Sequence, residues 1–273
     1  MLQTYNRKYF TEWYRQALRF MMPVECIGCN RILGSDPIPF VCRLCWEDIQ
    51  PLTGPSCACC DQPFVSSSAT LWTPDHKCQD CLERPPVYQR AWTLFPYVPP
   101  LQNAICSFKY RGKLGMAKPL ASLMILAMPP SLKADIVVPV PLHPSRLRAR
   151  EFNQSLLLAD YIGRHMGLPV SATALIRVVS TDPQTTLTRH ERLRNLRRAF
   201  AVRNPLAVTG RRILLVDDVF TTGTTLNECA KTLLKAGAES ITAITLARTI
   251  DSSLVPDRIL AKYPVTTNSP LGL

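Results

Sequence analysis

The later part of the chain alternates between short aliphatic runs and segments with apolar residues at helical spacing. The aliphatic runs predict buried strands at Trp92 to Tyr97, Ile136 to Pro141, Ile213 to Val216 and Ser240 to Ala247, with a weaker candidate at Val170 to Ala174. The helical segments end near Gly112, begin near Met116, cover Asn153 to His165, and run from Leu226 to Gly237. Strands without polar alternation are typical of sheets buried on both faces, so the pattern predicts an α/β fold with a doubly wound parallel sheet.

Two carboxylates and a threonine-rich loop follow the strand at Ile213. The carboxylates are Asp217 and Asp218, and the loop contains Thr221, Thr222, Gly223, Thr224 and Thr225. Open α/β sheets bind ligands at the carboxyl ends of their strands, where the N–H groups of the next helix also bind anions. The threonines and Gly223 suit a phosphate. The carboxylates would repel one, so we expect them to face ribose hydroxyls or a magnesium ion.

The fourteen residues from Ile213 to Leu226 closely resemble the phosphoribosyl pyrophosphate (PRPP) motif of type I phosphoribosyltransferases. The resemblance implies that the acidic pair holds the ribose 2- and 3-hydroxyls and that the loop holds the 5-phosphate. Turnover of PRPP is a separate question, because a fold can keep a ligand site while its chemistry is lost or changed.

The first third of the chain contains four Cys-x-x-Cys pairs. Nine of the eleven cysteines lie between residues 26 and 81. Each pair can bring two thiolates to one tetrahedral ion, and a second pair completes the set of four. The pattern therefore predicts two structural zinc ions, bound by Cys26, Cys29, Cys42, Cys45, Cys57, Cys60, Cys78 and Cys81. Disulfides are the alternative, but they require an oxidising compartment.

The sequence leaves open which pairs share an ion. Sequential pairing gives two zinc ribbons, whereas a cross-braced arrangement joins the first pair to the third. The short spacings favour sequential pairing. Cys59 and His76 lie close enough in sequence to replace a ligand. Closed sites of four protein ligands stabilise folding and do not activate water.

Composition is consistent with a small metal module followed by one α/β domain. The chain has 273 residues, 47% of them hydrophobic, which supports a sizeable core. Charges interrupt the N-terminal apolar spacing, and no apolar run is long enough for a bilayer, so we expect no signal peptide, no membrane span and a cytoplasmic location. The predicted regions are an amphipathic helix over 1–24, a double zinc ribbon over 25–86, a phosphoribosyltransferase-like domain over 87–250 and a disordered tail over 251–273.

Arginine is concentrated in the middle of the second domain. From Pro141 to Arg212 the chain has thirteen arginines, no lysine and four acidic residues, and its net charge is +12. Guanidinium groups bind phosphate oxygens in pairs, and pyrophosphate needs only a few of them, so the surplus favours a larger polyanion. A solvated basic face is the alternative interpretation.

Beyond the two motifs, the chain from Cys26 to Arg248 resembles the ComF family, also called ComFC, of bacterial proteins associated with DNA uptake. Besides the cysteine pairs and the PRPP-type motif, the resemblance rests on Phe108 to Gly112, Pro139 to Leu142, Phe152 to Gln154, and Gln184 to Phe200. Glu151 stands where the family commonly has glycine. That glycine either lets the backbone approach a phosphate or eases a turn.

The resemblance implies binding of a PRPP-type ligand with Mg2+ and of single-stranded DNA during uptake, with DNA-uptake proteins as further partners. Asp217 and Asp218 are the candidate catalytic residues, and the threonine loop is joined as candidate ligand contacts by Lys109, Arg111 and Arg146. The candidate nucleic-acid contacts are Arg148, Arg150, Arg189, Arg192, Arg194 and Arg197. The alternatives are an active phosphoribosyltransferase with an unknown acceptor and a non-catalytic adaptor. A purine-type amidotransferase is disfavoured because no N-terminal cysteine nucleophile is present.

Overall fold

The computed structural model describes residues 23–64, 75–178, 199–255 and 257–263. Nearly all of the predicted N-terminal helix over 1–24 lies outside these ranges. The same is true of four candidate nucleic-acid contacts, Arg189, Arg192, Arg194 and Arg197.

The described strands form one parallel sheet and one small antiparallel pair. In chain order they are β1 (Arg90–Pro96), β2 (Ile136–Pro139), β3 (Leu175–Arg177), β4 (Phe200–Val202), β5 (Arg212–Phe220) and β6 (Ser240–Arg248). The parallel sheet has the order β1-β6-β5-β2, and β3 pairs with β4. Val170 forms only an isolated bridge to Val137, so the strand candidate at Val170 to Ala174 is not realised as a full strand.

Helices connect these strands as the hydrophobic spacing predicts. In chain order they are α1 (Arg43–Glu47), α2 (Gln79–Glu83), α3 (Leu101–Tyr110), α4 (Ala117–Ala127), α5 (Pro144–Arg150), α6 (Gln154–Met166), α7 (Thr224–Lys235) and α8 (Asp257–Lys262). Asn153 begins α6 by accepting a hydrogen bond from Ser155 N–H, a common way of satisfying a free amide at a helix start.

The sheet is covered on both faces because successive strand residues point in opposite directions. Leu214 and Val216 of β5 pack in a core with α3, α4 and α6, whereas Ile213 and Leu215 pack in a second core with α7. Burying each such aliphatic side chain contributes about 1.5–3 kcal/mol. The prediction of a doubly wound parallel sheet is confirmed.

The two cysteine-rich modules repeat one local structure. In the first, Asn30 N–H donates to the Cys26 carbonyl, and in the second, Asp61 N–H donates to the Cys57 carbonyl, at 2.8 and 2.9 Å. Asn30 and Asp61 both adopt left-handed backbone angles, with φ of 59° and 61°. Asn and Asp tolerate this conformation better than most residues, which explains the tight turn after each first pair.

The second module also covers the edge of the sheet. Ala91 N–H in β1 donates to the Cys59 carbonyl at 2.8 Å, and Thr93 N–H donates to the Asp61 carboxylate at 2.9 Å. The edge strand β1 therefore has backbone donors satisfied by the ribbon, so they are not left open for association with another strand.

The prediction of a disordered tail from Asp251 is wrong for the described residues up to 263. This segment contains a 3-10 turn at Ser252–Leu254 and helix α8. Val255, Ile259 and Tyr263 are buried in the main core. Ile259 lies in α8, and Val255 and Tyr263 lie four residues to either side of it, just outside the helix. This helical spacing is present in the sequence and argues against disorder.

Candidate ligand site and metal centres

The structure groups the eight predicted metal ligands into two sets of four. Tetrad 1 contains Cys26, Cys29, Cys42 and Cys45, and tetrad 2 contains Cys57, Cys60, Cys78 and Cys81. Within each tetrad all sulfur atoms lie within 4.8 Å of one another. The preference for sequential pairing is therefore confirmed, and neither Cys59 nor His76 belongs to a tetrad.

Backbone amides point at matching sulfur atoms in the two tetrads. The Cys26 thiol accepts hydrogen bonds from Cys42 N–H at 3.2 Å and from Gly28 N–H at 3.4 Å. The Cys57 thiol accepts from Cys78 N–H at 3.3 Å and from Cys59 N–H at 3.4 Å. Such donors stabilise thiolate charge, so both donor sets fit structural zinc with four sulfur ligands.

These contacts also affect thiol ionisation. Burial raises the pKa of Cys26, but the N–H groups of Cys42, Cys29 and Gly28 outweigh it and bring the pKa to about 7. A hydrogen bond from the Cys60 thiol is the largest of the effects that lower the pKa of Cys57 to about 4. One thiol in each tetrad is therefore ready to ionise, as metal binding requires.

The acidic pair lies in the last four residues of β5, because the strand continues past Val216 to Phe220. Asp218 is only 5% exposed. It forms an ion pair with Lys109 at 2.8 Å and accepts a hydrogen bond from the Gln154 side chain at 3.1 Å. Asp217 accepts from the Ser155 hydroxyl at 2.8 Å. The start of α6 and the end of α3 thus hold both carboxylates in place.

Burial raises the pKa of Asp217 to about 7, and the neighbouring charge of Asp218 adds to the effect. Lys109 and the hydrogen bond from Ser155 act in the opposite direction. A second negative charge is therefore costly at this site unless further donors approach the pair.

The loop after β5 presents donors at the start of α7. Thr221 and Thr222 are exposed, and the Thr222 hydroxyl lies 2.8 Å from that of Thr224. Gly223 begins the helix with φ of 72°, a left-handed conformation that suits glycine. Gly223 supplies no side-chain cap to α7, and Thr224 N–H lies 3.5 Å from the Thr222 hydroxyl. Free N–H groups at a helix start are the kind of donor that anions bind.

The structure brings some of the predicted cationic ligand contacts toward the acidic pair. Lys109 contacts it directly. Arg111 ends α3 and is exposed, and no contact of its side chain with the pair is seen. Burial is the largest cause that lowers the pKa of Arg177; the charge of Arg146, which lies in α5, lowers it further, and the charge of Asp217 raises it. Arg177 is therefore within electrostatic range of both Arg146 and Asp217.

Two of the predicted nucleic-acid contacts lie in the described residues. Arg148 is exposed on α5, and the Arg150 guanidinium lies 4.7 Å from the ring centroid of Tyr110, which is 52% exposed. Glu151 ends α5 with φ of 65°. The position where the family commonly has glycine is therefore a left-handed turn.

Sequence reasoning did not assign roles to three residues that surround the acids. Gln154 was noted only as part of a family segment, and Ser155 and Arg177 were not singled out. The position of Gln154 and Ser155 directly after a helix-capping asparagine was the signal that could have identified them. Arg177 had no comparable local signal.

Within the described ranges, no helix combines the length and apolar character needed to span a bilayer.

Two family descriptions match separate parts of the chain. Residues 153–265 match the phosphoribosyl transferase domain, and residues 17–82 match the double zinc ribbon domain. Among solved structures, glutamine PRPP amidotransferase from B. subtilis is 20% identical, with a TM-score of 0.35 over 54% of this chain and 33% of that chain. A purine phosphoribosyltransferase from Pyrococcus horikoshii is 19% identical, with a TM-score of 0.29 over 52% of this chain and 75% of that chain.

Curated relatives match most of the chain. The DNA utilization protein YhgH of Escherichia coli K12 is 36% identical over 63% of this chain and 78% of its own length. Competence protein F of Haemophilus influenzae is 35% identical over 63% and 78%, respectively. Competence protein ComFC of Bacillus subtilis is 29% identical over 82% of this chain and 94% of its own length. On the strength of these relatives and of its two matched domains, this chain belongs to the ComF family, which joins a double zinc ribbon to a phosphoribosyltransferase-type domain.

Proposed function

We propose that this protein binds a PRPP-type ligand at the end of β5 and single-stranded DNA on adjacent arginines, and that it acts in the cytoplasm during DNA uptake. The proposal of a PRPP-type ligand rests on the arrangement of Asp217 and Asp218 beside the start of α7. Carboxylates accept hydrogen bonds from ribose hydroxyls, and the helix start and threonine hydroxyls donate to a phosphate. The relatives named for DNA utilization and competence support the biological setting.

The charges around the acids suit a ligand that also carries pyrophosphate. Lys109 supplies positive charge on the α3 side of the pair, Arg177 is within electrostatic range of Asp217, and Arg146 of α5 is within range of Arg177. Mg2+ would accompany the pyrophosphate, because it prefers hard oxygen ligands and is commonly bound through substrate phosphates. Its addition offsets the electrostatic cost of two adjacent carboxylates.

The same site suits phosphoribosyl transfer as a second candidate function. In that reaction the bond from ribose C1 to pyrophosphate breaks, a bond from C1 to the acceptor forms, and pyrophosphate leaves with the bonding electron pair. Lys109 and Arg146 would stabilise the charge that develops on the leaving group. No side-chain nucleophile is needed.

Calorimetry with PRPP and Mg2+ tests the ligand proposal. We expect binding by the unmodified protein and a loss of at least about tenfold in affinity for Asp217→Asn with Asp218→Asn, because the amides accept hydrogen bonds more weakly than carboxylates. Both zinc ions should remain, since neither residue contacts a tetrad. No heat of PRPP binding by the unmodified protein would overturn the proposal. Release of pyrophosphate with an added base or nucleic acid would establish transfer, and binding without release would limit the site to recognition.

Fluorescence anisotropy with labelled single-stranded DNA tests the proposal that the protein binds DNA. Each lost phosphate contact should flatten the slope of log affinity against log salt by about 0.7. We expect this change for Arg148→Glu and for Arg194→Glu. Arg84→Glu is the control, because Arg84 is exposed on the second ribbon, where it pairs with Asp80 at 3.5 Å. Equal salt slopes for all three variants would favour a solvated basic face.

A further inference from the structure

Arg248 connects the second zinc ribbon to the loop that begins α7. It is the last residue of β6 and is only 3% exposed. Its Nη1 donates to the Cys60 carbonyl at 2.6 Å, and its Nη2 donates to the Gln62 side chain. On the other side, its guanidinium lies 4.8 Å from the ring centroid of Phe220. The side chain therefore contacts the backbone of tetrad 2 and the end of β5 together.

Arg248 is a buried cation whose charge would be compensated by a zinc ion bound by the four thiolates of tetrad 2. Within the described ranges no acidic side chain forms an ion pair with it; its polar contacts are neutral oxygens of Cys60, Gln62 and Thr93. A zinc ion with four thiolates carries a net charge of about −2. A buried guanidinium beside such a centre is stabilised by that charge, and it is costly to bury when the charge is lost.

Phe220 transmits the position of Arg248 to the ligand loop. The two residues are paired across β5 and β6, and Thr249 N–H donates to the Phe220 carbonyl at 3.0 Å. The Phe220 ring packs directly on Gly223, since a Cβ built on that glycine would lie 2.6 Å from Phe220 Cζ. A shift of the ring therefore moves the backbone at the start of α7.

We propose that Arg248 is a positioning residue that couples metal occupancy of tetrad 2 to the conformation of the phosphate-binding loop. With a zinc ion bound in tetrad 2, the guanidinium is held against the Cys60 carbonyl and the Phe220 ring packs against Gly223. With tetrad 2 empty, the buried cation loses its compensating charge and the loop loses that support. The expected effect on ligand binding rests on the proposed function, whereas the expected effect on the loop conformation does not.

Coupling of this kind acts in both directions. If tetrad 2 favours the loop conformation that binds ligand, bound ligand raises the affinity of tetrad 2 for its metal by the same free energy. Among the described residues, no hydrogen bond or ring contact joins tetrad 1 to Phe220 or Gly223. Its module contacts the second domain elsewhere: the Tyr263 hydroxyl donates to the Cys45 sulfur at 3.2 Å, and the Asn103 side chain donates to the Ile27 carbonyl at 3.0 Å. We therefore expect the ligand to protect one of the two metal ions selectively.

Hydrogen–deuterium exchange of the peptide covering residues 220–226 tests the effect on the loop. Arg248→Met should raise its exchange rate at least about fivefold while both zinc ions remain, and Arg248→Lys should restore part of the protection because it keeps the charge. Cys78→Ser, which breaks tetrad 2 with Arg248 in place, should loosen the same peptide. Arg212→Met is the matched control, since Arg212 lies at the opposite end of β5 and pairs with Asp135 at 2.6 Å.

Two further measurements separate this inference from the proposed function. Calorimetry with PRPP should show at least about fivefold weaker binding by Arg248→Met, and chelator-induced zinc release should show one of two phases slowed by PRPP, the phase missing in Cys78→Ser. If the unmodified protein does not bind PRPP but Arg248→Met and Cys78→Ser both loosen 220–226, the proposed function fails and the positioning role stands. Normal exchange of this peptide in both variants overturns the positioning role.

Discussion

Lys109 Nζ lies 2.8 Å from a carboxylate oxygen of Asp218, and both side chains are largely buried. The pair joins the end of α3 to the end of β5. It places a positive charge at the site where a ribose phosphate would bind, and it partly compensates two adjacent carboxylates. Because the surroundings exclude water, the two charges depend on each other more than a surface pair would.

Removing Lys109 alone should be more damaging than removing both charges. We expect Lys109→Met to lower the free energy of unfolding by about 3–5 kcal/mol, because Asp218 is then left buried without its cation. Adding Asp218→Asn should restore part of that loss. Urea unfolding of the two single variants and the double variant measures the coupling. If the loss of unfolding free energy in the double variant equals the sum of the losses in the two single variants, the two charges do not depend on each other.

The raised pKa of Asp217 predicts a pH-dependent effect of Asp217→Asn. Between the unfolded pKa of about 3.9 and the folded value of about 7, the folded state binds the proton and the unfolded state does not. The stability contributed by Asp217 therefore falls as pH rises through this window, and it stays low above pH 7. Relative to that of the unmodified protein, the free energy of unfolding of Asp217→Asn should rise by up to about 3 kcal/mol between pH 4 and pH 8.

This difference is measured by urea unfolding of both proteins at several pH values, so that other titrating groups cancel. A constant offset across the range would show that Asp217 titrates normally in the folded protein.

Gly223 should be less tolerant of alanine than another glycine with the same backbone conformation. Gly223→Ala adds a methyl group 2.6 Å from the Phe220 ring, whereas the left-handed Gly210, with φ of 67°, has open space around it. We expect Gly210→Ala to cost about 1 kcal/mol through backbone strain alone and Gly223→Ala to cost at least about 1 kcal/mol more. Equal costs in thermal unfolding would mean that the Phe220 contact is easily relieved.

Replacing Glu151 with glycine should stabilise the protein. Glu151 has φ of 65° at the end of α5, and this conformation costs a residue with a Cβ atom about 1 kcal/mol. Glu151→Gly should therefore raise the urea midpoint, while Glu151→Ala, which keeps the Cβ atom, should not. A similar gain for both variants would indicate that charge, and not backbone strain, limits this position.

Zinc content should follow the two tetrads independently. The purified protein should contain two zinc ions per chain, and Cys42→Ser should lose the ion of tetrad 1 together with part of the solubility. Cys59→Ser is the control, because Cys59 belongs to neither tetrad although it lies between two ligands of tetrad 2. Elemental analysis measures both. Two zinc ions in Cys42→Ser, or fewer in Cys59→Ser, would contradict this assignment of ligands.

Much of this architecture could be predicted from the sequence because it depends on short-range patterns. The spacing of each Cys-x-x-Cys pair requires that its two thiolates lie together, and consecutive aliphatic residues such as Leu214 and Leu215 require a sheet covered on both faces. The order of strand, acidic pair, threonine loop and helix places Asp217, Asp218 and Gly223 at one end of that sheet. The helical spacing of Val255, Ile259 and Tyr263 was also present, but the prolines around it obscured it.

The tertiary structure alone decided which distant side chains meet at the site. Lys109 and Ser155 come from two separate helices, and nothing in their local sequence specifies the packing angle that brings both to the acidic pair of β5. The same holds for Arg248, whose contact with Cys60 spans 188 positions. Local patterns depend on backbone geometry over a few residues, whereas these contacts depend on how whole elements pack, and that is determined by the combined burial of many side chains.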